Sequence, residues 1–74
     1  MGNKKDEENT RTATVVEALP NAMFRLQTDD EDEEELLGYL AGKMKRYHIR
    51  VLIGDEVRFV ENPYGGKVRI TRRL

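Results

Sequence analysis

The sequence predicts an all-β protein: a five-stranded Greek-key barrel with one short helical turn between strands 3 and 4. Three observations lead there. Five short runs of β-branched or alternating apolar residues are separated by turn-forming residues. The stretch that reads as helical, Gly42 to His48, is too short for a full helix. With 74 residues and 38% hydrophobic side chains, the chain can fill one small core and no second one. A barrel suits such a chain because it closes most of its sheet edges.

The elements follow in order. Residues 1–11 are polar and charged apart from Met1, so they are expected to form a disordered tail, leaving 12–74 as the folded domain. Thr12 to Leu19 is rich in β-branched and small residues, with Val15 and Val16 at its centre. Pro20-Asn21 then makes a turn, since Pro fixes φ and Asn tolerates unusual backbone angles. Met23 to Thr28 alternates, with Phe24 and Leu26 on the face to be buried, and completes a hairpin. Asp29 to Glu35 is seven consecutive carboxylates, expected as a solvated loop. It lacks the alternating ligands and the Gly of a calcium loop, so no metal is expected there.

Leu36 to Ala41 reads as the third strand, with Gly38 marking a bulge or a close approach. Met44 is expected to plug the core beneath the helical turn. The apolar run Ile49 to Ile53 is closed by Gly54-Asp55. Val57 and Phe59 alternate with Arg58 and Val60 in the next strand; Asn62 to Gly66 is a loop; Val68 and Ile70 mark a last strand ending in Arg72 and Arg73. Phe24, Phe59 and Tyr39 are assigned to the core, Tyr47 and His48 to the surface. This order fits an OB-type barrel, with an SH3-like barrel as the nearest competitor.

Composition excludes several function classes. The chain has no Cys, so disulfides and thiolate metal sites are both out, and its single His cannot build a zinc site alone. No apolar run approaches a membrane span, and no secretory signal is expected. No Thr hydroxyl has a His beside it in sequence, and Gly65-Gly66-Lys67 lacks the spacing of a phosphate-binding loop. The expectation is a cytoplasmic monomer that is not an enzyme and uses no cofactor. Charge gives the positive signal. The net charge of −1 hides a balance of −7 over residues 1–41 and +6 over residues 42–74. Lys43, Lys45, Arg46, Tyr47, His48 and Arg50 cluster together, and Arg58, Tyr64, Lys67, Arg69, Arg72 and Arg73 follow. Cations neutralise phosphates while Tyr, His and the guanidinium plane stack on unpaired bases, which points to RNA.

Gly42-Lys43-Met44-Lys45-Arg46-Tyr47-His48-Ile49-Arg50, with Leu19-Pro20-Asn21-Ala22-Met23-Phe24-Arg25, Ile53-Gly54-Asp55-Glu56-Val57 and Pro63-Tyr64, resembles bacterial translation initiation factor one. The resemblance covers roughly Thr14 to Arg72. It implies an OB fold that binds the decoding, or A-site, region of the small ribosomal subunit. The implied partners are 16S rRNA, an adjacent ribosomal protein and the other two initiation factors; tRNA entry is blocked, and neither DNA nor a membrane is engaged.

Lys43, Met44, Lys45 and Arg50 match the family's rRNA-binding loop, Arg46 and Tyr47 its more variable stretch, and Arg69 and Arg72 its basic final strand. With His48 and Lys67 these form the candidate rRNA-binding set. The family usually has Tyr directly before Ile-Arg, where this chain has His48 and places Tyr47 one position earlier. The acidic run replaces a short turn and is expected to face away from RNA. Two other classes are a cold-shock-type RNA chaperone and an adaptor led by the acidic loop.

Overall fold

Period-two alternation sets which side chains the sheet encloses. In the computed structural model, which describes residues 10–74, β1 spans Thr10–Leu19, β2 Met23–Thr28, β3 Glu35–Leu40, β4 Glu56–Val60 and β5 Val68–Arg73. One helix among the described residues, α1, spans Gly42–Arg46 between β3 and β4. Phe24 and Leu26, Val57 and Phe59, and Val68 and Ile70 all point inward and are buried. Around the closed barrel the strands run β1-β2-β3-β5-β4. All neighbours are antiparallel except β3 and β5, which are parallel. The expected OB-type barrel, with its helical turn between the third and fourth strands, is what the chain forms.

Local chemistry fixes the corners. Between β1 and β2, Asn21 (φ 65°) and Ala22 (φ 57°) take left-handed backbone angles after Pro20, which turns the chain tightly. A bulge at Val16 bends β1, which pairs with β4 from Thr10 to Thr14 and with β2 from Ala13 to Leu19. Gly38 marks a close approach and not a bulge, because the β2–β3 register runs through it unbroken. A Cβ there would lie 2.9 Å from Leu26 Cδ1 and 3.3 Å from the Ile70 side chain. Met44 is fully buried beneath α1.

Three expectations need correction. β1 begins at Thr10 and not at Thr12, because Thr10 and Arg11 pair with Val60 and Phe59 of β4. The rest of the expected tail, residues 1–9, lies outside the described residues. Tyr39 is not core: Gly38 takes the inward position of β3, so Tyr39 faces outward and is 37% exposed. The acidic run is not merely solvated. Glu35 opens β3, and the buried Thr28 hydroxyl donates to Asp30 Oδ1 (2.9 Å) and accepts from the Glu34 amide (2.8 Å).

Arg11 draws that loop together. Its guanidinium sits 5.7 Å from the Phe59 ring centroid and binds Asp30 (2.6 Å), Glu61 and Glu34 (3.5 Å). One cation thus ties β1, the β2–β3 loop and the residue after β4. The Arg11 guanidinium, followed by the Thr28 hydroxyl, holds the Asp30 carboxyl below its usual range. Asp30 therefore contributes fully above the ordinary carboxylate pKa, and the contribution is lost as pH falls through its depressed value. Arg11→Met keeps an apolar stem over Phe59 but removes the charge. Exposed pairs are worth about 0.2–1 kcal/mol each, and in a domain this size 1 kcal/mol moves the midpoint by roughly 4–8 °C. Thermal melting of Arg11→Met should show a midpoint several degrees lower at neutral pH, with the gap to wild type narrowing under acid.

Candidate nucleic-acid interface

The barrel sorts its charges. Among the described residues there are five ion pairs, and Arg11 and Arg25 make all of them. Arg25 reaches Glu17 (2.9 Å) and Glu35 (3.2 Å). The nine Lys and Arg residues from Lys43 to Arg73 make none. The three acids of that half are engaged elsewhere. Glu61 binds Arg11, and Asp55 accepts the Leu52 amide (2.8 Å) inside its own turn. Glu56 faces Asp29, whose carboxylate raises the Glu56 pKa above its ordinary value. Nine cations without an ion-pair partner among the described residues make a field that favours a polyanion.

Secondary structure places the first group of these cations. Ala41 is anchored to β5 through its amide and the Ile70 carbonyl (2.8 Å), and the Ala41 carbonyl accepts the Met44 amide (3.0 Å). With Ala41 and Met44 buried, the one turn of α1 turns Lys43, Lys45 and Arg46 to solvent. The helix ends in a Schellman motif: the Ile49 amide bonds the Met44 carbonyl (2.9 Å) and the His48 amide the Lys45 carbonyl (3.2 Å). His48 occupies the left-handed position of that motif, with φ 55°. Just beyond it, Arg73 Nη1 donates to the Arg50 carbonyl (2.9 Å), which fixes the backbone that carries Arg50. The Arg50 side chain makes no ion pair with Asp55 or Glu56, so it does not brace the loop.

Most of the expected site residues lie on this surface. Lys43, Lys45, Arg46, Tyr47, His48 and Arg50 are exposed on α1 and its loop, and Tyr47 is 69% exposed. Met44 is the exception. Its side chain is fully buried, so it supports the loop from below and offers no surface for RNA. Lys67, Arg69 and Arg72 are exposed on or beside β5.

Two hollows show which of them meet. One of about 400 Å³ is lined by Lys43, Ile49, Thr71, Arg72 and Arg73, joining α1 to the end of β5. A second of about 220 Å³ is lined by Tyr39, Lys67 and Arg69 with Val60, Glu61, Asn62 and Pro63. Sequence reasoning left Tyr39 and Arg73 outside the site set. Strand phase, counted from an inward Gly38, places Tyr39 outside and next to Arg69. Arg73 enters the hollow because of a strand irregularity that no run of residue types announces.

Known proteins resemble the chain along most of its length. Residues 2–74 match the family described as "Translation initiation factor 1A / IF-1". The chain is 41% identical over 71 residues to the chloroplastic translation initiation factor IF-1 of Coffea arabica, covering 95% of this chain and 90% of that protein. The solution structure of translation initiation factor IF-1 from the Wolbachia endosymbiont strain TRS of Brugia malayi matches with a TM-score of 0.72 at 35% identity, over 96% and 87% of the two chains. YjeQ from Thermotoga maritima also matches with a TM-score of 0.72, at 25% identity and over 88% of this chain. This chain spans only 22% of the length of YjeQ, which shows the same barrel inside a longer protein.

The left-handed turn at His48 gives a direct test of how the loop is held. A residue with a Cβ pays roughly 1–2 kcal/mol in the left-handed region, which Gly avoids and which exceeds the about 0.4–1 kcal/mol of unfolded-chain entropy that Gly adds. His48→Gly should therefore melt at or above the wild-type midpoint, while the β-branched His48→Val should melt below it. The reverse order would show that the imidazole, and not the backbone angle, organises the loop.

Proposed function

Because the chain belongs to the translation initiation factor 1A / IF-1 family and is a translation initiation factor, we propose that it binds the decoding region of the small ribosomal subunit. The contact is with 16S rRNA and an adjacent ribosomal protein. Bound there, the protein blocks tRNA entry and assists the other two initiation factors. It acts by occupancy as a cytoplasmic monomer and performs no catalysis of its own.

One observation carries this reading: among the described residues, every cation from Lys43 to Arg73 is without a carboxylate ion pair, while Asp30, Glu34 and Glu35 of the acidic run are paired with Arg11 and Arg25. The acidic loop precedes β3 and α1 follows it, so the two lie at opposite ends of that strand. RNA approaching the α1 end meets Lys43, Lys45, Arg46 and Arg50, whereas at the other end the carboxylates share the surface with Lys67. The loop after α1 is fixed by the Schellman bonds and by Arg73, so Arg50 and Tyr47 are presented without a large ordering cost. A guanidinium carried on this fixed backbone both pairs with phosphate and stacks on a base, which a Lys ammonium cannot copy.

Binding to isolated small subunits, measured at fixed Mg²⁺ across a salt series, tests the proposal. With about four to six phosphates contacted, log K should fall against log salt by about 0.7–0.9 per contact. Arg50→Ala should weaken binding by about 1–3 kcal/mol, on the scale of losing a stacked base. Arg50→Lys should recover only part of that, with melting unchanged in both variants. A flat salt response, or binding to free single-stranded RNA as tight as to subunits, would contradict the proposal.

A further inference from the structure

On β5, Val68 and Ile70 are buried and Arg69 between them is exposed. Strict alternation would carry Arg72 inward with them. It does not go inward. Opposite the consecutive residues Arg58 and Phe59 of β4 stand Arg72 and Ile70, so Thr71 is an extra residue in β5 and forms a bulge. Its hydroxyl donates to the Arg58 carbonyl (3.3 Å). The bulge restores Arg72 to the outer face, directly across the ladder from Arg58, whose neighbours Val57 and Phe59 are both fully buried.

Two guanidinium groups now share one cross-strand position. Like charges directly opposite each other destabilise a sheet, and nothing here relieves them. Neither side chain makes an ion pair or a hydrogen bond within the described residues. The acid in the next outward position of β4, Glu56, is turned to Asp29. On the other flank, Arg58 is paired with Thr12 of β1. A bulge that re-aims a cation toward another cation fits a ligand that needs both.

We propose that Arg58 and Arg72 form a two-guanidinium clamp for one phosphodiester of bound RNA, with Thr71 as the positioning residue of the pair. The clamp rests on the reading of the protein as an rRNA-binding factor and extends its contact surface. Arg72 also lines the hollow shared with Lys43, so the clamp continues the α1 surface onto the outer face of β4 and β5. A phosphate between two forks accepts paired hydrogen bonds from both and removes their mutual repulsion. Because phosphate carries no base identity, the clamp contributes equally for any sequence.

The test compares wild type, Arg58→Gln, Arg72→Gln and the double variant, binding a short uridine oligonucleotide and isolated small subunits across a salt series. Each single change should weaken binding to both probes by about fivefold and flatten the salt slope by about 0.7–0.9. The double variant should fall no more than about twofold below the weaker single, because both groups hold one phosphate. Without RNA, Arg58→Gln should melt at or above the wild-type temperature, since it removes a like charge. Unchanged affinity, fully multiplying losses, or a lower melting temperature with affinity retained would each overturn the clamp. Coupled losses on the oligonucleotide, with no wild-type binding to subunits, would keep the clamp and remove the proposed ribosomal role. Wild type binding neither probe would overturn both.

Discussion

The parallel pairing of β3 with β5 is the constraint from which the rest of this structure follows. Parallel neighbours cannot be joined by a tight hairpin, so the chain must leave β3, travel, and return in the same direction. On the way it lays α1 beyond the end of β3, adds β4 beside β1, and inserts β5 into the remaining gap. The crossover therefore does two jobs. Met44 fills the core from the helix, and the segment after the helix is held against the end of β5 by the Arg73–Arg50 bond. Residues far apart in sequence, Lys43 and Arg72, line one hollow because of that path.

Charge sorting is the second layer, and it depends on the first. Arg11 occupies an inward register position opposite Phe59, at the side of the barrel where the β2–β3 loop and the end of β4 converge. Its side chain remains partly exposed there, within reach of Asp30, Glu34 and Glu61. Arg25 does the same for Glu17 and Glu35 on the outer face. Glu17, Asp30, Glu34 and Glu35 are thus drawn toward these two cations. The cations of the second half make no ion pair among the described residues and remain available to a polyanion. A net charge of −1 is compatible with RNA binding for this reason.

Much of this is legible in the residues. The alternation of Phe24 with Leu26 and of Val57 with Phe59 gives strand phase directly, and both pairs are buried. The helical turn and its buried Met44 follow from a stretch of helix formers too short to stand alone. Tyr39 is misplaced by sequence reasoning because a Gly can hold the inward position, and the eye assigns the core to the larger side chain. Arg11 is misplaced because a charged residue in a polar run reads as tail until its three carboxylates, distant in sequence, are known. The outward turn of Arg72 cannot be read at all, since a bulge exists only in register against another strand.

The absence of Cys makes the central claim, that the α1 end faces rRNA and the acidic loop faces away, directly measurable. Single-cysteine variants Ile53→Cys and Asp32→Cys, each on an exposed turn, can carry a tethered iron chelate that cleaves nearby RNA. With the labelled proteins bound to isolated small subunits, cleavage of 16S rRNA in the decoding region should be strong from position 53 and weak from position 32. Strong cleavage from position 32, with little from 53, would contradict the account.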